Sequence, residues 1–487
     1  MHLSIPFYAS PRKAARVRAY AVVALVAVVL MGRPGLAFAS TCSATAFGCP
    51  VSGTCIVTGT WDIGSGCLID FGTRAVEIRG TLQAAARSGA FEVRSGSLTL
   101  NAGKLKSLGD ANEPGGAIIV VTPGAFVMRG SGPRIDTSGN GGGGDIQVQA
   151  ASVDLQTGVI AADGGTDLNC GDGGVITIVA TGGSSSSAIT LRATAGGECG
   201  GGEVALTGAA VTVSGDIDAH GGAWASDQAI TVTALSGNIT VSGLAALMAS
   251  GTAQSSGYGA DGGQVTLSAP QGNVTLGGAS VVATGKSPYG SGGGVTVEAS
   301  GDVTVSSRLT LSGGSSGYGG EVVIAADGTL SVTGDIQVPG GASVPYGQGG
   351  VVDLVAGGQA TIASTIDATA LLGGDIAIQS SATVDITGQL TTRGSRESGG
   401  TIEIAGCVVT VNGRLDSGGS NGAVGGGIEL EAGAVALQSS AIVQAAPCAA
   451  GGCVNAVTPS GDIVVDPAAS VAPQLLSFIV EDVALCD

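Results

Sequence analysis

The sequence predicts an all-β protein, a parallel β-helix (β-solenoid) with about three short strands per coil and disulfide-rich ends. Three observations carry this. The phrase Gly-Gly-x-[Ile/Val]-x-[Leu/Ile/Val] keeps returning along the chain. Glycine supplies 88 of the 487 residues, which opposes helix almost everywhere. Between the phrases, Val, Ile and Thr alternate with period 2 over three to five residues bounded by turn formers, the pattern of short strands.

The phrase first appears as Gly115-Gly116-Ala117-Ile118-Ile119-Val120, and its first apolar residue recurs at Ile146, Ile176, Val204, Val265, Val295, Val322, Val352, Ile376, Ile402 and Ile428. Ile230 and Ile463 carry the same apolar pair without the double glycine, and the steps between units run from 24 to 35 residues. In the unit from Gly262 the expected strands are Val265-Thr266-Leu267, Val274-Thr275-Leu276 and Val281-Val282-Ala283. Such a unit cannot bury its apolar face alone. Coiling the chain and stacking unit on unit closes a continuous core. At about 4.8 Å per coil, the twelve steps span on the order of 60 Å.

From the N-terminus, residues 1–39 read as a secretory signal peptide: Arg12, Lys13, Arg16 and Arg18 precede the apolar run Ala19 to Met31, and Ala37-Phe38-Ala39 offers a cleavage site. An uncleaved anchor is disfavoured, because Gly32-Arg33-Pro34 interrupts the stretch and the run is short for a bilayer. Residues 40–72 read as a Cys-rich cap, 73–465 as the β-helix and 466–487 as a C-terminal cap. Without the leader the net charge is 14 minus 37, or −23. That excludes nucleic acid as a partner, which needs a basic surface, and suits a secreted, extracellular or cell-surface protein.

All ten cysteines follow residue 39, an even number that fits an oxidising compartment. Cys42, Cys49, Cys55 and Cys67 crowd one end; Cys407, Cys448, Cys453 and Cys486 belong to the other. Clips there would protect the open strand edges of a solenoid. Cys170 lies six residues before Ile176 and Cys199 five before Val204. They therefore fall in one loop on adjacent coils, within disulfide reach, and a Cys170–Cys199 bridge is expected. A zinc site is the rival reading, but no histidine is near.

The search for chemistry gives no catalytic residue and no metal site. His220, the sole histidine after residue 39, sits where the third strand gives way to a loop beside Asp216 and Asp218, and reads as a solvated turn residue. Polygalacturonase-like chemistry would show Asn-Thr-Asp and Asp-Asp, which the sequence lacks; pectate-lyase-like chemistry needs an arginine base beside clustered carboxylates, yet Arg192, Lys286 and Arg308 are the only basic residues between 135 and 392. Calcium through Asp163, Asp167 and Asp172 stands behind a turn role, because the calcium-binding nonapeptide never recurs in tandem. No cofactor is expected.

Two ladders stand out. Thr190, Thr212, Thr240, Thr275, Thr304 and Ser331 read as the outward middle residues of successive second strands. β-propensity explains such a row; an ordered array for an ice or crystal surface is the sharper alternative. Trp224, Tyr258, Tyr289, Tyr318 and Tyr346 precede the first apolar residue of five consecutive units by 6, 7, 6, 4 and 6 positions. They either cover the glycine-rich loops or form a platform for sugar rings or partner side chains.

The repeat, with phrases such as Gly272-Asn273-Val274-Thr275-Leu276, resembles bacterial secreted right-handed parallel β-helix proteins grouped with filamentous haemagglutinin-like adhesins. The resemblance implies surface display and adhesion. The chain shows no Asn-Pro-Asn-Leu secretion motif and no Leu-Pro-x-Thr-Gly sorting signal, which leaves release and non-covalent attachment both open. The expected function is a non-enzymatic structural or adhesin-like protein that binds glycan or another surface partner through the aromatic loops. The alternatives are a polysaccharide lyase or hydrolase and a crystal-surface binder.

Overall fold

Strand alternation sorts each coil into an inside and an outside. In the coil from Gly262 the strands are Gln264–Ala269, Val274–Leu276 and Ser280–Val282. Val265, Leu267, Ala269, Val274, Leu276 and Val281 are fully buried, while Gln264, Thr266, Thr275 and Ser280 point outward. Each buried Val, Leu or Ile contributes about 1.5–3 kcal/mol, and repeating this set in every coil makes the core continuous. The structure is a computed structural model and describes residues 40–42, 44–50, 52–110, 112–165, 171–222, 228–252, 259–343, 347–446, 454–458, 463–472 and 476–479.

All strand pairs are parallel. Among the described residues, first and second strands stack into one 31-stranded sheet and third strands into one of 16 strands, so the protein is a parallel β-helix. Among the described residues there is no α-helix, only a 3-10 turn at Ala44–Phe47. No helix there is long and apolar enough to cross a membrane. The first apolar residues of the repeat pair directly, coil upon coil, from Ile118 through Ile146, Ile176, Val204, Ile230, Val265 and Val295 to Val322, Val352, Ile376, Ile402 and Ile428.

The double glycine forms a neck that closes each coil. The second glycine donates its N–H to the carbonyl just after the preceding third strand: Gly174 to Ala162 (2.7 Å), Gly202 to Ala193 (2.7 Å), Gly320 to Leu311 (2.8 Å) and Gly350 to Val338 (2.8 Å). The requirement is closeness. A Cβ on Gly320 would come within 3.0 Å of the Gly293 oxygen and of the Leu311 Cβ, and one on Gly319 would strike the Val338 oxygen. Whatever lies between third strand and neck is excluded from the core, which is why unit length varies there.

The ladder runs past both expected cap boundaries. Ser40–Cys42 pairs with Cys67–Asp70, and Cys55–Val57 with Ala75–Ile78, so the Cys-rich segment is itself coiled. Its disulfides are Cys42–Cys67 and Cys49–Cys55, with Cα separations of 5.6 and 4.9 Å. At the other end Ser470–Ala472 pairs with Ile442–Gln444, and Leu476–Ile479 with Val454–Thr458. Ile463 needs correction: it pairs with Val435 in a second strand, and Val454 takes the first-strand place against Ile428. The phrase there is Gly451-Gly452-Cys453-Val454-Asn455-Ala456, whose final alanine disguises it. The expected leader and Cys448, Cys453 and Cys486 lie outside the described residues.

Candidate functional site

Loops leaving the third strands stack on one another outside the necks. Between the coils carrying Tyr289 and Tyr318, Gly314 donates to Gly290 O (2.7 Å) and Ser316 to Pro288 O (2.7 Å). In the next coil Gly341 donates to Gly317 O and Ser343 to Ser315 O, both at 2.9 Å. This backbone ladder gives the loop edge a defined register. Tyr318 is fixed through its own carbonyl, which accepts from Gly292 at 2.9 Å.

Both tyrosines project from this edge, 51% and 47% exposed. Among the described residues, ring-to-ring contacts occur only in the N-terminal coil, where Phe47 meets Trp61 at 5.0 Å and Phe71 at 5.7 Å. Tyr289 and Tyr318 therefore do not stack on each other. Trp224, Tyr258 and Tyr346 lie outside the described residues, as do Cys170 and Asp167. Cys199 is disulfide-bonded.

His220 sits against Asp218, Nδ1 to Oδ1 at 2.7 Å, and its backbone N–H meets the same oxygen at 3.1 Å. That hydrogen bond raises the imidazole pKa above its usual value, against the opposing effect of burial. One coil back, Arg192 pairs with Asp163 at 2.6 Å, and Thr194 donates to the same carboxylate at 2.8 Å. Asp172 accepts from the Gly200 amide at 2.6 Å. These aspartates act as turn and coil-to-coil ties. Among the described residues no group of three His, Cys, Asp or Glu side chains converges as a metal site would require.

The hydroxyl ladder is real but begins elsewhere. Thr190 opens a third strand and pairs with Val159; the second strand of that coil is Ser185–Ser187. The row runs Ser186, Thr212, Thr240, Thr275, Thr304, Ser331 and Thr361 before Asp385 interrupts it. Ser185 and Ser187 point inward, their buried hydroxyls without a hydrogen-bond partner, so the coil's polarity hid its period.

Sequence reasoning missed several half-buried carboxylates on the outward face of the first strands. Glu298, Asp353 and Glu403 all have raised pKa values, chiefly through burial; Glu321 adds to the effect at Asp353, and Glu429 and Asp375 at Glu403. Glu403 lies directly beside Glu429 in the ladder. The signal was available: each is one or three positions after a first apolar residue, hence outward. A carboxyl with a raised folded pKa adds stability below its unfolded value of 4.5, and loses that contribution as pH rises through the folded value. Glu403→Gln is therefore expected to melt higher than the parent at pH 7, and the advantage should vanish near pH 4. Thermal melts followed by circular dichroism at the two pH values check this; an equal offset at both would contradict it.

Compared with protein-family models, with curated proteins and with solved structures, the chain matches none of them.

Proposed function

We propose that this chain is a secreted, non-enzymatic, adhesin-like solenoid that binds glycan along the loop edge. The observation that carries this reading is the pair of exposed tyrosines on adjacent coils, set on loops tied to each other by backbone hydrogen bonds and stacked on no ring among the described residues. Tyr combines a flat apolar face with a polar tip, which suits a sugar ring. The two N-terminal disulfides support export to an oxidising compartment.

A broad glycan array, run beside a reducing-sugar assay on acidic polysaccharides, tests the proposal. Binding without turnover is expected, and turnover would replace it with an enzyme. The double variant Tyr289→Ala/Tyr318→Ala should weaken binding about 10- to 30-fold, at on the order of 1 kcal/mol per ring, and leave the melting curve unchanged. A lowered melting temperature with intact binding would make the rings a loop clamp instead.

A further inference from the structure

A shallow cavity of about 300 Å³, open to solvent, lies on the same loop edge, one coil beyond Tyr318, and is lined by Gly340, Thr369, Arg393, Gly394, Ser395 and Ser420. These residues follow the third strands Ile336–Gln337, Thr365–Asp367, Gln389–Thr391 and Arg414–Asp416, so four successive coils build it. Its floor is hydrogen-bonded backbone: Ser395 donates to Ala370 O at 2.9 Å and Ser420 to Gly394 O at 3.0 Å. The volume is at the lower end for small-ligand sites and suits one sugar residue.

Its charge is unusual for this chain. Beyond Arg308 the sequence holds three basic residues, Arg393, Arg396 and Arg414, all within these coils. The Asp416 side chain, 2% exposed, receives Arg414 at 2.6 Å and Arg393 at 3.1 Å, and its other oxygen takes the Gly418 amide at 3.0 Å. Two guanidinium groups share the Asp416 carboxylate, and Asp367, whose Oδ1 takes the Thr369 amide at 3.0 Å, stands in the same register column two coils back. Arg414 already satisfies Asp416, and Arg393, 36% exposed, gives that carboxylate only one of its nitrogens. The rest of the Arg393 fork remains available beside the Thr369 and Ser395 hydroxyls, which make no hydrogen bond among the described residues.

We infer that this cavity is a subsite for the anionic group, carboxylate or sulfate, of an acidic sugar residue. Arg393 holds the anion, while Thr369 and Ser395 meet ring hydroxyls. The inference rests on the glycan reading and deepens it: the tyrosines take uncharged sugar faces, and the cavity fixes the register of the chain laid along them. Repulsion from the acidic protein as a whole is screened beyond about 8–10 Å at physiological salt, so the local contact at Arg393 decides.

The test is calorimetric titration of the full chain with three probes: galacturonate oligomers, heparin-derived oligosaccharides and uncharged galactan oligomers. The acidic probes should bind, Arg393→Gln should weaken them about tenfold or more, and Arg393→Lys should recover part of the loss. Neither variant should alter galactan binding. Preference for one acidic probe supports the subsite and identifies its anion. Should Arg393→Gln lower the melting temperature, Arg393→Lys with a parental melting curve and weakened acidic binding still supports the subsite. If acidic and uncharged oligomers bind alike and Arg393→Gln changes neither, the subsite is overturned while the glycan reading stands. If none of the three probes binds and the glycan array is also blank, both fall.

Discussion

Alanine at Gly320 is expected to destabilise the solenoid by about 3 kcal/mol, the upper end of what overpacking costs. The neck leaves no room: the added Cβ would lie within 3.0 Å of the Gly293 oxygen one coil back and of the Leu311 Cβ that closes its own coil. Neither neighbour is the far end of a flexible side chain, so relief requires the coils to part. Coils touch only their neighbours, and Gly320 sits mid-stack, so the damage should weaken the join between two long halves. Thermal unfolding is then expected to split into two transitions, with proteolytic cleavage appearing near residue 320. Gly277→Ala is the control. Its Cβ would meet only Val241 O at 3.7 Å and Thr275 Cγ2 at 3.9 Å, and its lower unfolded-state entropy should stabilise by about 0.4–1 kcal/mol. Equal melting of the two variants would refute the neck as the reason for the repeat.

Much of this architecture could be read from residues because the repeat states its own register. First apolar residues from Ile118 to Ile428 align as their phrases do, and Val274–Leu276 is a strand as its alternation implies. The failures have physical causes. Ser185–Ser187 turns two hydroxyls inward, so the apolar period skipped to Ile189-Thr190-Leu191 and drew Thr190 into the wrong row. In the Ile230 unit, Gln228 occupies the place of the second neck glycine. Its side chain is 1% exposed, fitted against Gly201 and Gly263, with Nε2 on Asp261 O at 2.9 Å. That substitution is tolerated only because glycines flank it on both neighbouring coils. The cavity at Arg393 was illegible for another reason: its residues come from four loops of different length, and only the closed stack brings them together.

The same neighbour-only logic predicts a different outcome at the end of the stack. The Cys42–Cys67 bridge closes a 25-residue separation, which in the chain-entropy description is worth about 3.5 kcal/mol. It holds the Ser40–Cys42 strand on Cys67–Asp70, and between them the turn Ala44–Phe47 lays Phe47 against Trp61 and Phe71. Those rings cover apolar surface that an unclipped first coil would expose, together with a strand edge open to association. The double variant Cys42→Ser/Cys67→Ser should therefore lose amide protection from residue 40 to about residue 71 and gain a tendency to associate. Amides around Val120 and Ile324 should stay as slow as in the parent, because no contact carries the loss inward past a few coils. Hydrogen exchange resolved by residue distinguishes this from global unfolding. Uniform loss of protection would mean that the first coil nucleates the whole stack, and would make the clip, rather than the repeated neck, the element on which the solenoid depends.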